Sequence, residues 1–550
     1  MTALPPDLAE LSILASARRK AAEYYAPLLD SDDELVKVGA WCALLDREEV
    51  TVEQYPRVVA LASHGAIQRR AFRFFESNWE HELAAAVAAK VATSPASARA
   101  LSMRAELACD DRAAVEAQRY RFLATGRFDA LVAMVTRDEA AEGWRAALAL
   151  AIKVFILNPH DPIAASLVLH LIYEARERDM LRAVLNLLRE NALHPYVALA
   201  YHAALQLMQG NPRECLKWLG ELSAMAAPRP DVLARIRPLT LQLNAEAIDR
   251  LGDYRRAYDA YVELNRLDQG KPARLEDFGK VITAAAARPV PELPADGNTD
   301  HFVMTGFPRS GTTLLENALA AHPQIETFEE IPSTASMEMY LQTALPHART
   351  PDELVATYQH ARQRYYDEQT RRRRKLGATV FVDKLPMRSA EAASMSKIFP
   401  EKRYIFSVRH PFDVVLSCFK QHFGRNIAMD HFRSFDGAVK LYDFTMRQWF
   451  GSYGLDDPRI HYLRYDDLVT AFEPSLRAVL EFLGVQWDAQ VLGFAERAEA
   501  RSTRTPSYQK VRQGLTIGVQ SSWRNYEFLF QSDAAKPLFE WARLFGYPTD

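Results

Sequence analysis

Cysteine is scarce in this chain, and no stretch of it is both long and apolar. The four cysteines, Cys42, Cys109, Cys215 and Cys418, stand far apart in 550 residues. That spacing excludes a disulfide-stapled scaffold and offers no paired metal ligands, so they read as buried thiols in a reducing compartment. No run approaches the ~18–20 apolar residues of a membrane span. Met1–Asp7 lacks the basic start and apolar centre of a secretory leader. A formal net charge of −3 gives no electrostatic reason to bind nucleic acid or an anionic membrane. The expectation is a cytoplasmic protein with neither as a partner. Single cores seldom grow past ~250–300 residues, so two domains or more are expected.

What is present comes in two textures. Through Ala287 the sequence is rich in alanine and leucine, with apolar residues at helical spacing and almost no strand-like alternation. Two units thirty-six residues apart share a pattern: Ala147 precedes Pro159 by twelve residues, and Ala183 precedes Pro195 by twelve. A third unit, Gly252–Leu264, sets Ala257 and Tyr261 on one helical face. This period resembles tetratricopeptide repeats, with a small residue where paired helices approach and a proline ending the second helix. Such repeats bury their apolar faces against their neighbours and form an array, here over 1–287. The array reads as a surface for a protein or peptide partner or for self-association. A non-repeating helical domain is the alternative.

The proline-rich run 288–299 reads as a linker, and 300–550 as a second domain. In it, short β-rich runs at His301–Thr305, Thr379–Val382, Arg403–Val408 and Ile460–Leu463 alternate with helical stretches. That order predicts βα units, a mainly parallel sheet, and a ligand site beyond the carboxyl ends of the strands.

The chemistry concentrates at those ends. Phe302–Leu315 reads as a strand, a turn bounded by Gly306 and Gly311, and a helix start. Its backbone N–H groups converge on an anion, with Thr312 and Thr313 hydroxyls as further donors. The lysine of an ATP- or GTP-binding loop is missing: Thr312 occupies its place, and Arg309 sits inside the turn. Tyr404–Ser417 places Arg409 at a strand end and Ser417 eight residues on, a pair able to grip a second phosphate. Phe381–Pro386 delivers Lys384 to the same edge. Glu329 and Glu330 follow the first helix; an adjacent acidic pair is by default solvated surface. Arg371–Lys375 reads as a solvated helix end, with a cationic rim for an acidic acceptor as the sharper alternative.

Together these elements resemble the sulfotransferases that use 3′-phosphoadenosine 5′-phosphosulfate (PAPS). The tyrosylprotein sulfotransferases and the bacterial proteins fusing tetratricopeptide repeats to a sulfotransferase domain look most similar. The resemblance covers Asp300–Asp550 and implies a P-loop-type α/β sulfotransferase fold. It places Pro308, Arg309, Ser310, Gly311, Thr312 and Thr313 in the 5′-phosphosulfate loop. It gives Arg409 and Ser417 the 3′-phosphate, Arg309 and Lys384 the transferring sulfuryl group, and Glu330 the role of catalytic base. Tyr465, within Arg464–Leu468, is similar to a family residue near the nucleotide. Ser507 and Arg512 match a late segment that closes over it, together with Trp523. Lys510 and Gly514 depart from the family pattern there.

The implied reaction moves a sulfuryl group from PAPS to a hydroxyl on a peptide, protein or small molecule, releasing adenosine 3′,5′-bisphosphate. The donor carries its own phosphates, so no metal is expected. His322 and His410 are competing bases. A P-loop kinase or NTPase, and a repeat scaffold with a vestigial nucleotide-binding domain, are the alternative functions.

Overall fold

The computed structural model describes residues 5–78, 80–90, 111–225, 230–267, 274–331, 333–494 and 521–549. Among them the chain divides into two compact units, with the break between Leu251 and Gly252.

The first unit is helix-rich. Helices Trp144–Leu157, Pro162–Glu174, Arg178–Glu190, Pro195–Met208, Pro212–Ala224 and Pro230–Arg250 succeed one another, each packed on the next. Ala147, Ala151, Ala164, Ala165, Ala200, Ala203 and Ala204 are wholly buried, the small side chains that let helix backbones approach. One apolar core runs from Leu8 to Ala247. Of the two prolines in the repeated pattern, Pro159 stands just past the end of helix Trp144–Leu157, whereas Pro195 opens a helix instead of ending one. Pro162, Pro195 and Pro212 open helices, where a missing N–H leaves no bond unmade, and Pro159 lies in the connection before Pro162.

The second unit is built on five parallel strands: β1 (His301–Gly306), β2 (Ile325–Glu329), β3 (Val380–Lys384), β4 (Arg403–Val408) and β5 (Ile460–Arg464). Their order is β2-β3-β1-β4-β5, so β1 is central. Every residue of β1 and β3 is buried, as a sheet covered on both faces requires. The parallel sheet matches the sequence expectation. Strand β2 was not foreseen; its Ile-Glu-Thr-Phe-Glu run carries two acidic residues in five and lies at the sheet edge.

The texture change at Ala287 falls inside this second unit. Helices Tyr254–Asn265 and Leu275–Ala287 both pack on it. Ala257 and Tyr261 are buried, as their spacing predicts. Asn265 Nδ2 donates to the Phe419 carbonyl at 2.8 Å, and Phe278 meets Phe444 edge to face. Residues 288–299 form no helix or strand but are strapped down: the Pro289 carbonyl accepts from Tyr358 OH, and the Pro294 carbonyl from Arg362.

Candidate active site

The turn after β1 is shaped by two glycines. Gly306 has φ +154°, and a Cβ there would lie 2.6 Å from the Ser407 carbonyl and 2.9 Å from Ser310 Oγ. Gly311 has φ +97° and carries the ring of Tyr465 where a Cβ would stand. Both positions therefore exclude other residues. Gly311 is the N-cap of helix Thr312–Ala321 and provides no side-chain cap, which turns the helix's positive end toward the turn. Arg309, between the glycines, is itself held at φ +72°.

Two arginines converge on this turn. Arg309 Nε donates to Ser417 Oγ at 3.0 Å, and Arg409 Nη1 donates to the Arg309 carbonyl at 3.2 Å. The Arg409 guanidinium lies 4.7 Å from the Tyr465 ring centre. Ser417 is on helix Pro411–Phe419, and Tyr465 opens Tyr465–Thr470 after β5. Burial, with the like charge of Arg409, draws the Arg309 guanidinium below its ordinary value. Pro308, Ser310, Thr312 and Thr313 are buried around the turn. Arg409 Nε, Ser310 Oγ and Ser407 Oγ are buried without a hydrogen-bond partner among the described residues. Buried polar atoms left in this state call for a ligand or water, and these are donors grouped with two cations. The set fits a polyanionic nucleotide.

A second cluster lies beside the first, at the ends of β2 and β3. Lys384 is fully buried, and its Nζ stands 3.0 Å from Glu330 Oε1, 3.3 Å from Glu329 Oε1 and 3.6 Å from Glu316 Oε2. Lys384 pairs with Met304, two residues before the turn, so both clusters occupy one sheet edge. Burial alone would depress the Lys384 ammonium, but Glu316, Glu329 and Glu330 hold its pKa above the ordinary value. Glu330 has φ +50°, and its amide donates to the Lys384 carbonyl at 2.8 Å. On the opposite face, Asp383 takes hydrogen bonds from Ser333 and Tyr365 and an ion pair from Arg388, which pins the end of β3. Sequence reasoning missed Glu316 and treated Glu329 as surface. The available signal was the one charged residue in the helix after the turn, in Leu314-Leu315-Glu316.

Other sequence candidates lie elsewhere. His322 Nε2 is 2.8 Å from the Gln486 carbonyl and its Nδ1 accepts from the Gln324 amide. It sits past the C-terminal end of the helix that starts at the turn, hence at the opposite sheet edge. His410 is likewise engaged at both nitrogens, by the Pro548 carbonyl and the Phe412 amide. Neither histidine is placed as a base. The basic run is absorbed locally. Arg371 and Arg372 pair with Glu368, and Arg373 stacks 3.7 Å over Phe381. Lys375 Nζ donates to the carbonyls of Ala320, His322 and Ile325, again at the far edge. Arg374 is exposed, and the contacts of the other four do not favour the cationic-rim alternative. Ser507 and Arg512, with Lys510 and Gly514, lie outside the described residues. Trp523 is buried, its amide donating to Asp413 at 3.0 Å. Among the described residues no group of three or more His, Cys, Asp or Glu is placed to hold a metal, and no helix is long and apolar enough to cross a membrane.

Residues 302–489, within the parallel-sheet second unit, match the model of the sulfotransferase family. The chain is similar to an uncharacterised protein of Aquifex aeolicus, 26% identical over 305 residues, which covers 51% of this chain and 39% of that protein. It is also similar to protein-tyrosine sulfotransferase 2 of Gallus gallus, 25% identical over 202 residues, covering 35% of this chain and 53% of the relative. The chain thus spans from about two-fifths to about half the length of these curated relatives. Among solved structures, the sulfotransferase domain of the Synechococcus PCC 7002 olefin synthase aligns at 19% identity with a TM-score of 0.32, covering 48% of this chain and 98% of that domain.

Proposed function

We propose that the second unit transfers a sulfuryl group from PAPS to an acceptor hydroxyl. The observation that carries this reading is the placement of two unlike clusters on one sheet edge. The turn, Arg309, Arg409 and Ser417 form a seat for a doubly phosphorylated nucleotide. Lys384 and Glu330 adjoin it with an ammonium and a carboxylate. Tyr465, and in the late segment Ser507 and Arg512, complete the nucleotide contacts in this reading.

Bound PAPS supplies an activated sulfuryl group. Arg309 and Lys384 provide fixed positive charge where the S–O bond to the 5′-phosphate breaks. Glu330 accepts the proton of the acceptor hydroxyl as its oxygen bonds to sulfur, so the proton ends on a glutamate oxygen and the electron pair on the departing phosphate. The rest of the rate comes from positioning, by analogy with phosphoryl transfer. The acceptor is a hydroxyl compound. Tyrosine, from the name of the Gallus gallus relative, is the first to try. The first unit presents a partner or the acceptor, or joins copies of the chain.

The test is titration calorimetry with adenosine 3′,5′-bisphosphate beside ADP and ATP, without metal. Selective binding of the bisphosphate is expected. Preference for ATP, or no binding, overturns the proposal and returns the kinase or scaffold reading.

A further inference from the structure

Three carboxylates surround one ammonium at the ends of β2 and β3, and the proposed transfer uses only one of the three. Glu329 is faced by Glu316 from helix Thr312–Ala321, by Lys384 from β3, and by its neighbour Glu330. With all three ionised, the corner holds three negative charges against one positive. A polyanionic nucleotide in the adjoining turn adds more negative charge and draws on the same ammonium. Like charges this close cannot all persist in a poorly hydrated corner, so one carboxylate takes a proton.

The surroundings of the three differ. Glu316 accepts a hydrogen bond from Thr327 Oγ1 at 3.1 Å. The Glu330 side chain is 37% exposed and reaches water. The Glu329 side chain is 17% exposed, and its one hydrogen bond among the described residues comes from Lys384 itself, at 3.3 Å. Among the described residues Glu329 therefore has no hydrogen-bond donor other than the lysine to support its charge, whereas Glu316, only 1% exposed, also has Thr327.

We propose that Glu329 is a positioning residue that stores a proton: it takes one from solvent as the anionic donor binds, and so keeps Glu330 ionised to serve as the base. This rests on the sulfuryl-transfer reading. Burial and Glu316 already push the Glu329 carboxyl up to about 7, with Lys384 holding it back. A competing negative charge beside Lys384 weakens that restraint. The proton passes from water to a Glu329 oxygen and remains there through the transfer, while the acceptor's proton goes to Glu330.

The test is calorimetry of the full chain with adenosine 3′,5′-bisphosphate in two buffers of different ionisation enthalpy, which counts protons taken up on binding. Little uptake is expected near about pH 5.5, rising to a maximum of about half a proton just above about pH 7 and falling away again at higher pH. In Glu329→Gln the bisphosphate binds but this uptake disappears. The ligand's own phosphates titrate in both proteins, so the difference belongs to Glu329. In Glu316→Gln the maximum moves to lower pH, because a like charge has gone. Bisphosphate binding with the same uptake in wild type and Glu329→Gln, or with none in the wild type, overturns the proton store and leaves the transfer reading standing. If Glu329→Gln does not fold, an unmoved maximum in Glu316→Gln overturns it instead. Failure of the wild type to bind bisphosphate overturns both.

Discussion

Glu330 and Lys384 are joined twice: the Glu330 amide donates to the Lys384 carbonyl at 2.8 Å, and the Lys384 ammonium donates to the Glu330 carboxylate at 3.0 Å. The backbone link sets the register of β2 and β3 one residue beyond the strand end, and the side-chain link uses that register. It also holds Glu330 at φ +50°, while Arg309 is held at +72°. A non-glycine residue in that region costs about 1–3 kcal/mol, which persists only where the surroundings over-determine it. Both residues were singled out in the sequence for their chemistry, and both lie in strained backbone.

Glu330→Gln should slow sulfuryl transfer by about 10²–10⁴, or about 3–5 kcal/mol of barrier, with bisphosphate affinity nearly unchanged. Turnover with a working acceptor, measured beside calorimetry, checks this. Near-normal turnover in the folded variant means that another group is the base.

Glu329 gives stability a pH dependence of defined sign. Its folded value of about 7 lies above the ordinary 4.5, so the folded protein keeps a proton that the unfolded chain has released. That contribution is full below about pH 4.5 and is lost as pH rises to about 7. Glu329→Gln stays neutral and escapes the loss. The variant should gain on the wild type across this window by up to about 3 kcal/mol. Urea midpoints at about pH 5 and about pH 8 read the difference; a gap that does not widen with pH would contradict it.

Gly311→Ala places a methyl group in the Tyr465 ring and asks a non-glycine residue to hold φ +97°. The turn must shift, at a cost of about 1–3 kcal/mol. Bisphosphate binding should weaken at least tenfold while the far-ultraviolet circular dichroism stays as in the wild type. Unchanged affinity would remove the turn from the nucleotide seat.

Asn265→Ala tests the link from helix Tyr254–Asn265 to the helix carrying Ser417. Asn265 is 5% exposed, and its loss leaves the Phe419 carbonyl without that donor. A stability loss of about 1–3 kcal/mol is expected, with bisphosphate binding reduced alongside it. Thermal melts with and without the ligand separate the two effects.

The sequence made the loop legible because glycine at fixed spacing and an arginine in place of a lysine are local signals. Arg409 and Lys384 were readable for the same reason, since each sits where an apolar strand ends, and Ser417 was readable from its fixed spacing after Arg409. Glu316 was not, because what places it in the candidate site is a lysine sixty-eight residues away in sequence and 3.6 Å away in space. Strand β2 was hidden by its glutamates, which look like surface until β3 is laid beside them. The helices at 254–265 and 275–287 share the texture of the repeats yet pack with the sheet. Their partners, Phe419 and Phe444, lie more than one hundred and fifty residues on.

The central position of β1 gives the site a handedness of charge. On the β3 flank the strand ends gather carboxylates around a single ammonium; on the β4 flank they gather guanidiniums and a hydroxyl. A ligand pair with one polyanionic end and one end that must lose a proton has a single favourable way to lie across that boundary. Lys384 stands at that boundary, so on the proposed reading a substitution among its carboxylates is felt by the nucleotide as well as by the acceptor, and the two properties are tied to each other.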